Sequence, residues 1–383
     1  MTRWPLIVIV TFLTVPAALA QSVGDARFDS LAREGIDHVY NFEFESAESD
    51  FGKLVRRQPH HPAGYFFLAM VDWWKILIDL DNEEQDKKFF EDLDRVIEMC
   101  DSMLEKNEND VSAIFFKGGA VGFQGRLRFH RNDYLAAANA GRKALPLVQA
   151  ASTLDPNNYD ILFGTGIYNY YAEVIPNEYP FLKPLLLFIP PGDKKKGIAQ
   201  LTASAEKGKF ASTEAAYFLL QIYFFYERDY GKALVSASSL SRSYPKNVLF
   251  HRYLGRLYAT LLNWPMSDEV FTEIVARSRR GQRGYSSNAE REAEYYLGAS
   301  DMAGGRYDEA LAHFFRSDEL SRSLDRNEPS GFMVMANLKI GNIYDVQGKR
   351  NLAIDQYNKV VDMKDYKESS TLAKQFLKAP YAH

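Results

Sequence analysis

An internal repeat runs through this 383-residue chain and limits the folds that it can adopt. Three glycines in the C-terminal third, Gly255, Gly298 and Gly341, recur at intervals of 43 residues, and each follows an aliphatic residue. Twelve residues after each glycine comes a small residue, and four residues later an aromatic one. These two sets are Ser267, Ala310 and Ala353, and Phe271, Phe314 and Tyr357. Small residues let antiparallel helices approach closely and the aromatic ring fills the space beside them, so the spacing predicts helical hairpins.

The same offsets recur near the other end of the chain, in Gly35, Ala47 and Phe51, with Pro59 where the second helix should stop. These residues resemble the tetratricopeptide repeat, a helical hairpin with Leu-Gly on its first helix and Ala, an aromatic residue and Pro on its second. The best-matching unit contains Ile340-Gly341, Tyr344, Gly348, Ala353 and Tyr357, and it lacks the early Trp and the terminal Pro. The resemblance implies a solenoid that binds partners on its concave face.

Helical periodicity divides the chain into about eight hairpins and a capping helix. Almost nothing alternates with period two, and no Pro/Ser-rich linker divides residues 21–383. We therefore predict an all-α, tetratricopeptide-type solenoid, continuous over 21–383. The predicted hairpins pair 27–38 with 45–57, 62–80 with 87–106, 111–123 with 131–154, 158–175 with 194–207, 212–227 with 230–243, 246–262 with 266–280, 289–303 with 306–323, and 331–346 with 349–362, and the cap lies near 366–378.

The first twenty residues are typical of a signal peptide. Arg3 precedes an apolar run, and Ala18-Leu19-Ala20 is the small-residue pattern that signal peptidase requires. The apolar part is shorter than the roughly 20 residues of a spanning helix. We expect cleavage after Ala20, with an uncleaved anchor as the alternative. An exported chain would be periplasmic in a bacterium, which we favour, or enter the secretory pathway in a eukaryote.

Residues 176–193 interrupt the repeat with five prolines and a leucine-rich stretch. One interpretation is a loop or short helix folded over the core of the solenoid. The other is a hydrophobic element that docks on a membrane, a lipid or a partner, beside cations that suit an anionic lipid surface. The residues that would make this contact are Leu186, Leu187, Phe188, Lys194 and Lys195.

The region 160–210 also resembles a narrower group, the inclusion-body-clearance tetratricopeptide proteins. The likeness consists of the leucine-rich stretch followed by Gly192-Asp193, Lys196-Gly197 and Gln200-Leu201. Members of that group are associated with membranes and lipid bodies. The resemblance therefore favours lipid as an alternative ligand class, and it supplies no functional residue.

Motifs of catalysis and nucleotide binding are missing from the sequence, which contains no H-E-x-x-H, paired C-x-x-C, G-x-S-x-G or Walker loop. The one cysteine, Cys100, lies in an apolar-periodic segment and is predicted to be buried. Gly164-Thr165-Gly166 follows a helical pattern and indicates close helix packing rather than phosphate binding. A net charge of −4 gives no basic footprint for nucleic acid. We expect a non-enzymatic binding protein that needs no metal or cofactor.

In tetratricopeptide arrays the first helices of successive hairpins line the concave groove. The groove positions implied by the resemblance are Arg252, Arg256, Tyr295, Leu338 and Asn342. Two arginines four residues apart share a helical face and would clamp a carboxylate or an acidic peptide, unless they pair with a neighbour such as Glu292. The leading hypothesis is an exported scaffold that binds a protein or peptide on this face. The alternative is an envelope protein that binds lipid or a membrane surface through residues 176–196.

Overall fold

The computed structural model describes residues 26–186, 190–326 and 328–382. The predicted signal peptide at 1–20 lies outside the described residues, as do Leu187 and Phe188. For Leu186 the backbone is described and the side chain is not.

The described chain is helical from end to end, with no strand among the described residues. Its helices are α1 (Ala26–Tyr40), α2 (Phe44–Arg57), α3 (Pro62–Ile78), α4 (Asp86–Leu104), α5 (Val111–His130), α6 (Tyr134–Leu154), α7 (Tyr159–Glu178), α8 (Lys183–Leu186), α9 (Lys194–Lys207), α10 (Ser212–Gln221), α11 (Tyr230–Ser243), α12 (Val248–Thr260), α13 (Trp264–Arg279), α14 (Ser287–Ala303), α15 (Tyr307–Leu324), α16 (Gly331–Val346), α17 (Arg350–Asp362) and α18 (Ser369–Lys378). A 3₁₀ turn, Pro180–Leu182, precedes α8, and a π-helical turn, Ile222–Tyr226, extends α10.

These helices pair in chain order into eight hairpins, each packed on the next, and α18 packs on the last. The pair α7 and α9 encloses the 176–193 insertion. The prediction of an all-α, tetratricopeptide-type solenoid with a capping helix is confirmed. The largest boundary error is α5, which was predicted to end at residue 123 and continues to His130. Gly125 lies inside α5, at the point where this helix approaches α6 closely. A Cβ at Gly125 would lie 2.9 Å from the Cβ of Ala140.

The repeated glycines make room for the repeated aromatic rings. A Cβ at Gly255 would lie 2.7 Å from the ring of Phe271, and one at Gly341 would lie 2.6 Å from the ring of Tyr357. The equivalent distance from Gly35 to Phe51 is 2.4 Å. All three rings are buried. Because ordinary carbon contacts are about 3.5–4.0 Å, any larger residue at these glycines would displace a core ring. The spacing in the sequence therefore records a helix-to-helix contact.

The solenoid closes on itself, because the first hairpin contacts helices near the middle of the chain. Tyr40 at the end of α1 donates a hydrogen bond of 2.9 Å from its hydroxyl to Glu214 of α10. Asn247, the residue before α12, donates from its side-chain amide to the Tyr40 carbonyl oxygen at 2.9 Å. The Arg283 guanidinium, between α13 and α14, forms an ion pair with Glu45 of α2 at 2.7 Å. The first hairpins therefore complete one turn around a central space.

Two smaller clusters of buried residues hold the C-terminal hairpins together, one between α14, α15 and α16 and one between α16, α17 and α18. Hairpins in this part of the chain contact their sequence neighbours. Among the described helices, none combines the length and the apolar character needed to cross a bilayer.

Candidate functional site

The turn formed by the first five hairpins surrounds a cavity of about 620 Å³, called here the central cavity. Its walls are the first helices of those hairpins, α1, α3, α5, α7 and α10, completed by α6. It therefore occupies the concave side of the solenoid. A volume of this size lies within the roughly 300–1,000 Å³ of typical small-ligand sites.

Small residues on α5 and α6 leave the space open. Gly122 of α5 and Gly141 of α6 both line the cavity, and a Cβ at either would meet no atom within 4 Å. Neither glycine is therefore required for packing. Both glycines are exposed, and a side chain at either would extend into open space at the cavity wall.

The remaining wall is mostly apolar and aromatic. The aromatic lining residues are Tyr40, Phe51, Phe66, Phe67, Trp74, Phe115, Phe116, Phe123, Phe129, His130, Tyr134, Phe163, Tyr168, Tyr171, Phe210, Phe218, Phe225 and Tyr226. On α7 the lining runs from Ile161 to Ile175, which is about 20 Å at 1.5 Å per residue. The space is therefore elongated as well as apolar.

One cluster of charged side chains lies on this apolar wall. The Arg126 guanidinium donates to Glu214 at 2.8 Å, and Glu214 also accepts the hydrogen bond from Tyr40. Arg126 stacks on Phe218 and on Trp73, with its guanidinium carbon 4.4 and 4.7 Å from the ring centroids. Burial and the Glu214 carboxylate raise the pKa of Tyr40 well above its usual value. Since each charge has a partner, the cluster is stable in this apolar setting.

A second pocket of about 450 Å³ adjoins the central cavity and is called here the polar side pocket. It lies between α6, α7 and α9, and it shares Leu145, Val148 and Tyr168 with the central cavity. Its other lining residues are polar: Gln149, Ser152, Thr153, Thr165, Asn169, Lys196 and Gln200. The Asn169 amide donates to the Gln200 side chain at 2.7 Å. The two spaces thus place an apolar and a polar surface side by side.

The described part of the 176–193 insertion lies against the edge of the central cavity. Leu182 is 5% exposed and forms part of the cavity wall, while the neighbouring Phe181 is 61% exposed. The Phe181 ring packs on Tyr134 with ring centroids 5.5 Å apart, and Tyr179 packs on Phe129 at 5.8 Å. This part of the insertion is a short helix over the core that leaves one large apolar side chain exposed. The contact of residues 186–188 with lipid or a partner stays a prediction.

The two predicted groove arginines point toward a carboxylate of the next hairpin. Arg252 and Arg256 bond Glu292 of α14 through their Nη2 atoms, at 2.6 and 2.5 Å respectively. Glu292 is 0% exposed. Burial alone would raise the pKa of Glu292, but the two arginine charges hold it below its usual value. The alternative partner, Glu292, is thus the one observed, and both positive charges are engaged within the protein.

The other predicted groove residues lie deeper than expected. The Tyr295 ring packs against Phe314 and Phe332, with centroids 5.7 and 5.6 Å away. Leu338 is 2% exposed, and Asn342 is 4% exposed and accepts a hydrogen bond of 3.1 Å from the Tyr357 hydroxyl. Leu338 and Asn342 were predicted to contact a partner at the surface. This prediction is corrected: both are core residues, because α17 and α18 pack against this part of α16.

The two predicted lysines differ in their surroundings. Lys194 forms an ion pair with Glu227 at 3.2 Å, and Lys195 is exposed. Close packing explains Gly164-Thr165-Gly166 as predicted, because a Cβ at Gly166 would lie 2.8 Å from Leu201 of α9.

Sequence reasoning missed the central cavity. The sequence signal that could have indicated the cavity is the set of four glycines on α5, at positions 118, 119, 122 and 125.

The described residues bring no three His, Cys, Asp or Glu side chains together in a metal-binding group. Cys100 is buried as predicted, and burial raises the pKa of its thiol to about 12. A thiol with this pKa is protonated at neutral pH and is a poor nucleophile.

The molecule is an all-α solenoid of tetratricopeptide type, with a closed turn and an apolar cavity on its concave side. No family model and no curated protein sequence matches the chain. Solved structures similar to it include yeast Tom70, at 12% identity over 92% of this chain and 88% of that chain, with a TM-score of 0.39. The C-terminal part of a TPR repeat-containing protein from Cytophaga hutchinsonii matches at 16% identity over 80% of this chain and 98% of that chain, with a TM-score of 0.38. A human IFIT1 dimer with PPP-AAAA matches at 15% identity over 94% of this chain and 88% of that chain, with a TM-score of 0.41. These similarities are too distant to transfer a partner or an activity to this chain.

Proposed function

We propose that this chain is an exported, non-enzymatic binding protein and that the central cavity holds the apolar part of its binding partner. The observation that carries the proposal is a cavity of about 620 Å³ on the concave side, lined by aromatic and small residues. Each Å² of apolar lining that a ligand removes from water contributes about 25 cal/mol. An apolar occupant therefore gains stability from the wall without requiring new polar contacts.

The polar groups on the wall favour binding over catalysis. Arg126 and Tyr40 both donate to Glu214, so the role of these three residues is structural in the described arrangement. Ser, Cys and Lys are not among the described lining residues. The described wall therefore offers no serine, cysteine or lysine nucleophile.

The scaffold hypothesis places a polypeptide partner on the same concave side. Its predicted acidic-peptide clamp loses support, because Arg252 and Arg256 are both engaged by Glu292. A polypeptide would instead insert apolar anchor side chains into the central cavity, as helices do in hydrophobic grooves.

Export remains a proposal based on residues 1–20. Its support is the charged, apolar and small-residue order ending at Ala20. The intact mass of the protein isolated from its host should correspond to a chain that begins at Gln21. A mass that includes residues 1–20 would contradict cleavage.

The cavity is tested by filling it. Gly122 and Gly231 are both exposed, but Gly122→Phe places a ring at the cavity wall, whereas Gly231→Phe places the same ring on α11 at a position that does not line the cavity. We expect Gly122→Phe to weaken binding of the neutral fluorescent probe N-phenyl-1-naphthylamine at least tenfold and Gly231→Phe to leave it unchanged. Thermal unfolding of both variants verifies that they are folded. Unchanged probe binding by a folded Gly122→Phe variant would refute the cavity as the site.

A further inference from the structure

The central cavity and the polar side pocket together have the form of a site for an amphiphile. They share the lining residues Leu145, Val148 and Tyr168, so the two spaces are direct neighbours. One space is apolar and about 20 Å long along α7, and the other is lined by amide, hydroxyl and ammonium groups. A hydrocarbon chain fits the first environment and a charged or polar head group fits the second.

The charge of the head group follows from Lys196. Its ammonium forms no ion pair with any described residue, and it is the one charged side chain on the described wall of the polar side pocket. The acidic neighbours are already engaged: Asp193 accepts the Lys196 backbone N–H at 2.9 Å, and Glu173 accepts the Lys194 backbone N–H at 2.7 Å. Lys194 itself pairs with Glu227. Among the described lining residues the only charge is thus the Lys196 ammonium, which favours an anionic head group.

The same lining disfavours an extended peptide. Every peptide unit that enters an apolar site needs partners for its N–H and C=O groups. On the cavity wall, Arg126 and Tyr40 already bond Glu214, and Gln221 donates to Tyr253 at 3.2 Å. A hydrocarbon chain makes no such demand. The volume of about 620 Å³ also suits one chain better than a two-chain lipid.

We infer that the ligand of this protein is a single-chain amphiphile with an anionic head group, whose chain occupies the central cavity and whose head group binds beside Lys196. The inference rests on the proposed function, because it names the occupant of the proposed site. Ser152 and Gln149 line the same pocket, and their side chains carry hydrogen-bond donors for the head group.

Three compounds with the same twelve-carbon chain separate head-group charge from chain burial: dodecanoate, dodecanol and dodecyltrimethylammonium. Each is titrated against wild-type protein holding N-phenyl-1-naphthylamine, at pH 8 and below micelle-forming concentrations. We expect dodecanoate to displace the probe at least tenfold more effectively than the other two. Equal displacement by dodecanol and dodecanoate would overturn the inference.

The head-group position is tested with Lys196→Gln and a matched control, Lys195→Gln, one residue away on the same exposed helix end. We expect Lys196→Gln to reduce the preference for dodecanoate over dodecanol to within threefold, with dodecanol affinity unchanged. Lys195→Gln should keep the wild-type preference. A preference that survives Lys196→Gln would overturn the assignment of Lys196.

The two proposals fail in different ways. If the probe binds and Gly122→Phe abolishes its binding, but no head-group preference is measured, the cavity stands and the anionic amphiphile is refuted. If the probe does not bind to folded wild-type protein, the proposed function itself fails.

Discussion

Replacement of Gly255 by Ala tests whether the repeated glycine is required by its aromatic partner. The added Cβ would lie 2.7, 2.8 and 3.0 Å from three ring carbons of Phe271. Since ordinary contacts are about 3.5–4.0 Å, the ring would have to move by about 1 Å. The ring is fully buried and stacks on Tyr296 with centroids 4.8 Å apart, so little space is available for that movement.

The expected magnitude is the balance of two opposing effects. Overpacking a well-filled core costs about 1–3 kcal/mol, and contact with three ring carbons places Gly255→Ala at the upper end, about 3 kcal/mol. Alanine in a helix interior is favoured over glycine by about 1 kcal/mol. We therefore expect Gly255→Ala to lower the free energy of unfolding by about 2 kcal/mol.

Urea unfolding followed by circular dichroism measures this change. Gly52→Ala is the matched control, since Gly52 lies within α2 and the nearest atom to its added Cβ is Arg56 Nη1, at 3.4 Å. We expect the control to be stabilised by about 0.5–1 kcal/mol. The double variant Gly255→Ala/Phe271→Leu should be more stable than the sum of the single effects by at least about 1 kcal/mol. A Gly255→Ala protein as stable as wild type, or strict additivity in the double variant, would refute the reasoning.

Two further predictions concern charged groups. Glu292→Gln leaves two partly buried arginines facing a neutral side chain. We therefore expect the free energy of unfolding, measured in urea, to fall by about 3 kcal/mol. A decrease no larger than that of the exposed control Glu319→Gln would contradict this prediction. His313 forms a 2.6 Å ion pair with Glu294, whose hydrogen bond raises the pKa of the imidazole above 6.5. The ion pair therefore stabilises the protein fully below pH 6.5 and loses this effect as pH rises through the raised pKa. Unfolding of wild type and His313→Gln at pH 5.5 and 8.5 should show the larger difference at pH 5.5, and the reverse order would refute the assignment.

The hairpins were predictable because their defining contacts are local in the chain. Gly341 and Tyr357 are sixteen residues apart and touch across one hairpin, so the spacing itself encodes the contact. The same logic located the helix boundaries within a few residues over most of the chain. Where it failed, α5 continues from its predicted end at residue 123 to His130, through the glycine that approaches α6 closely.

The central cavity was not predictable from the repeat, because it depends on contacts between distant residues. Tyr40 meets Glu214 across 174 positions, and no periodic pattern specifies that meeting. For Arg252 and Arg256 the sequence left two outcomes open, a clamp for a partner's carboxylate or a pair with Glu292, and packing between hairpins selects Glu292. Local spacing reports which side chains share a helix face, and packing between hairpins decides what that face contacts.

The contact of the first hairpin with the middle of the chain changes how the molecule opens. In a linear repeat array each end frays independently, because a terminal hairpin is held by one neighbour. Here α1 and α2 are held by α3 and also by Glu214, Asn247 and Arg283. Their backbone amides should exchange hydrogen with solvent as slowly as those of interior helices, whereas α17 and α18 should exchange at the faster rate of a free end. The N-terminal hairpin therefore holds the closed turn together. We expect the turn to open when the contacts of this hairpin with Glu214, Asn247 and Arg283 break.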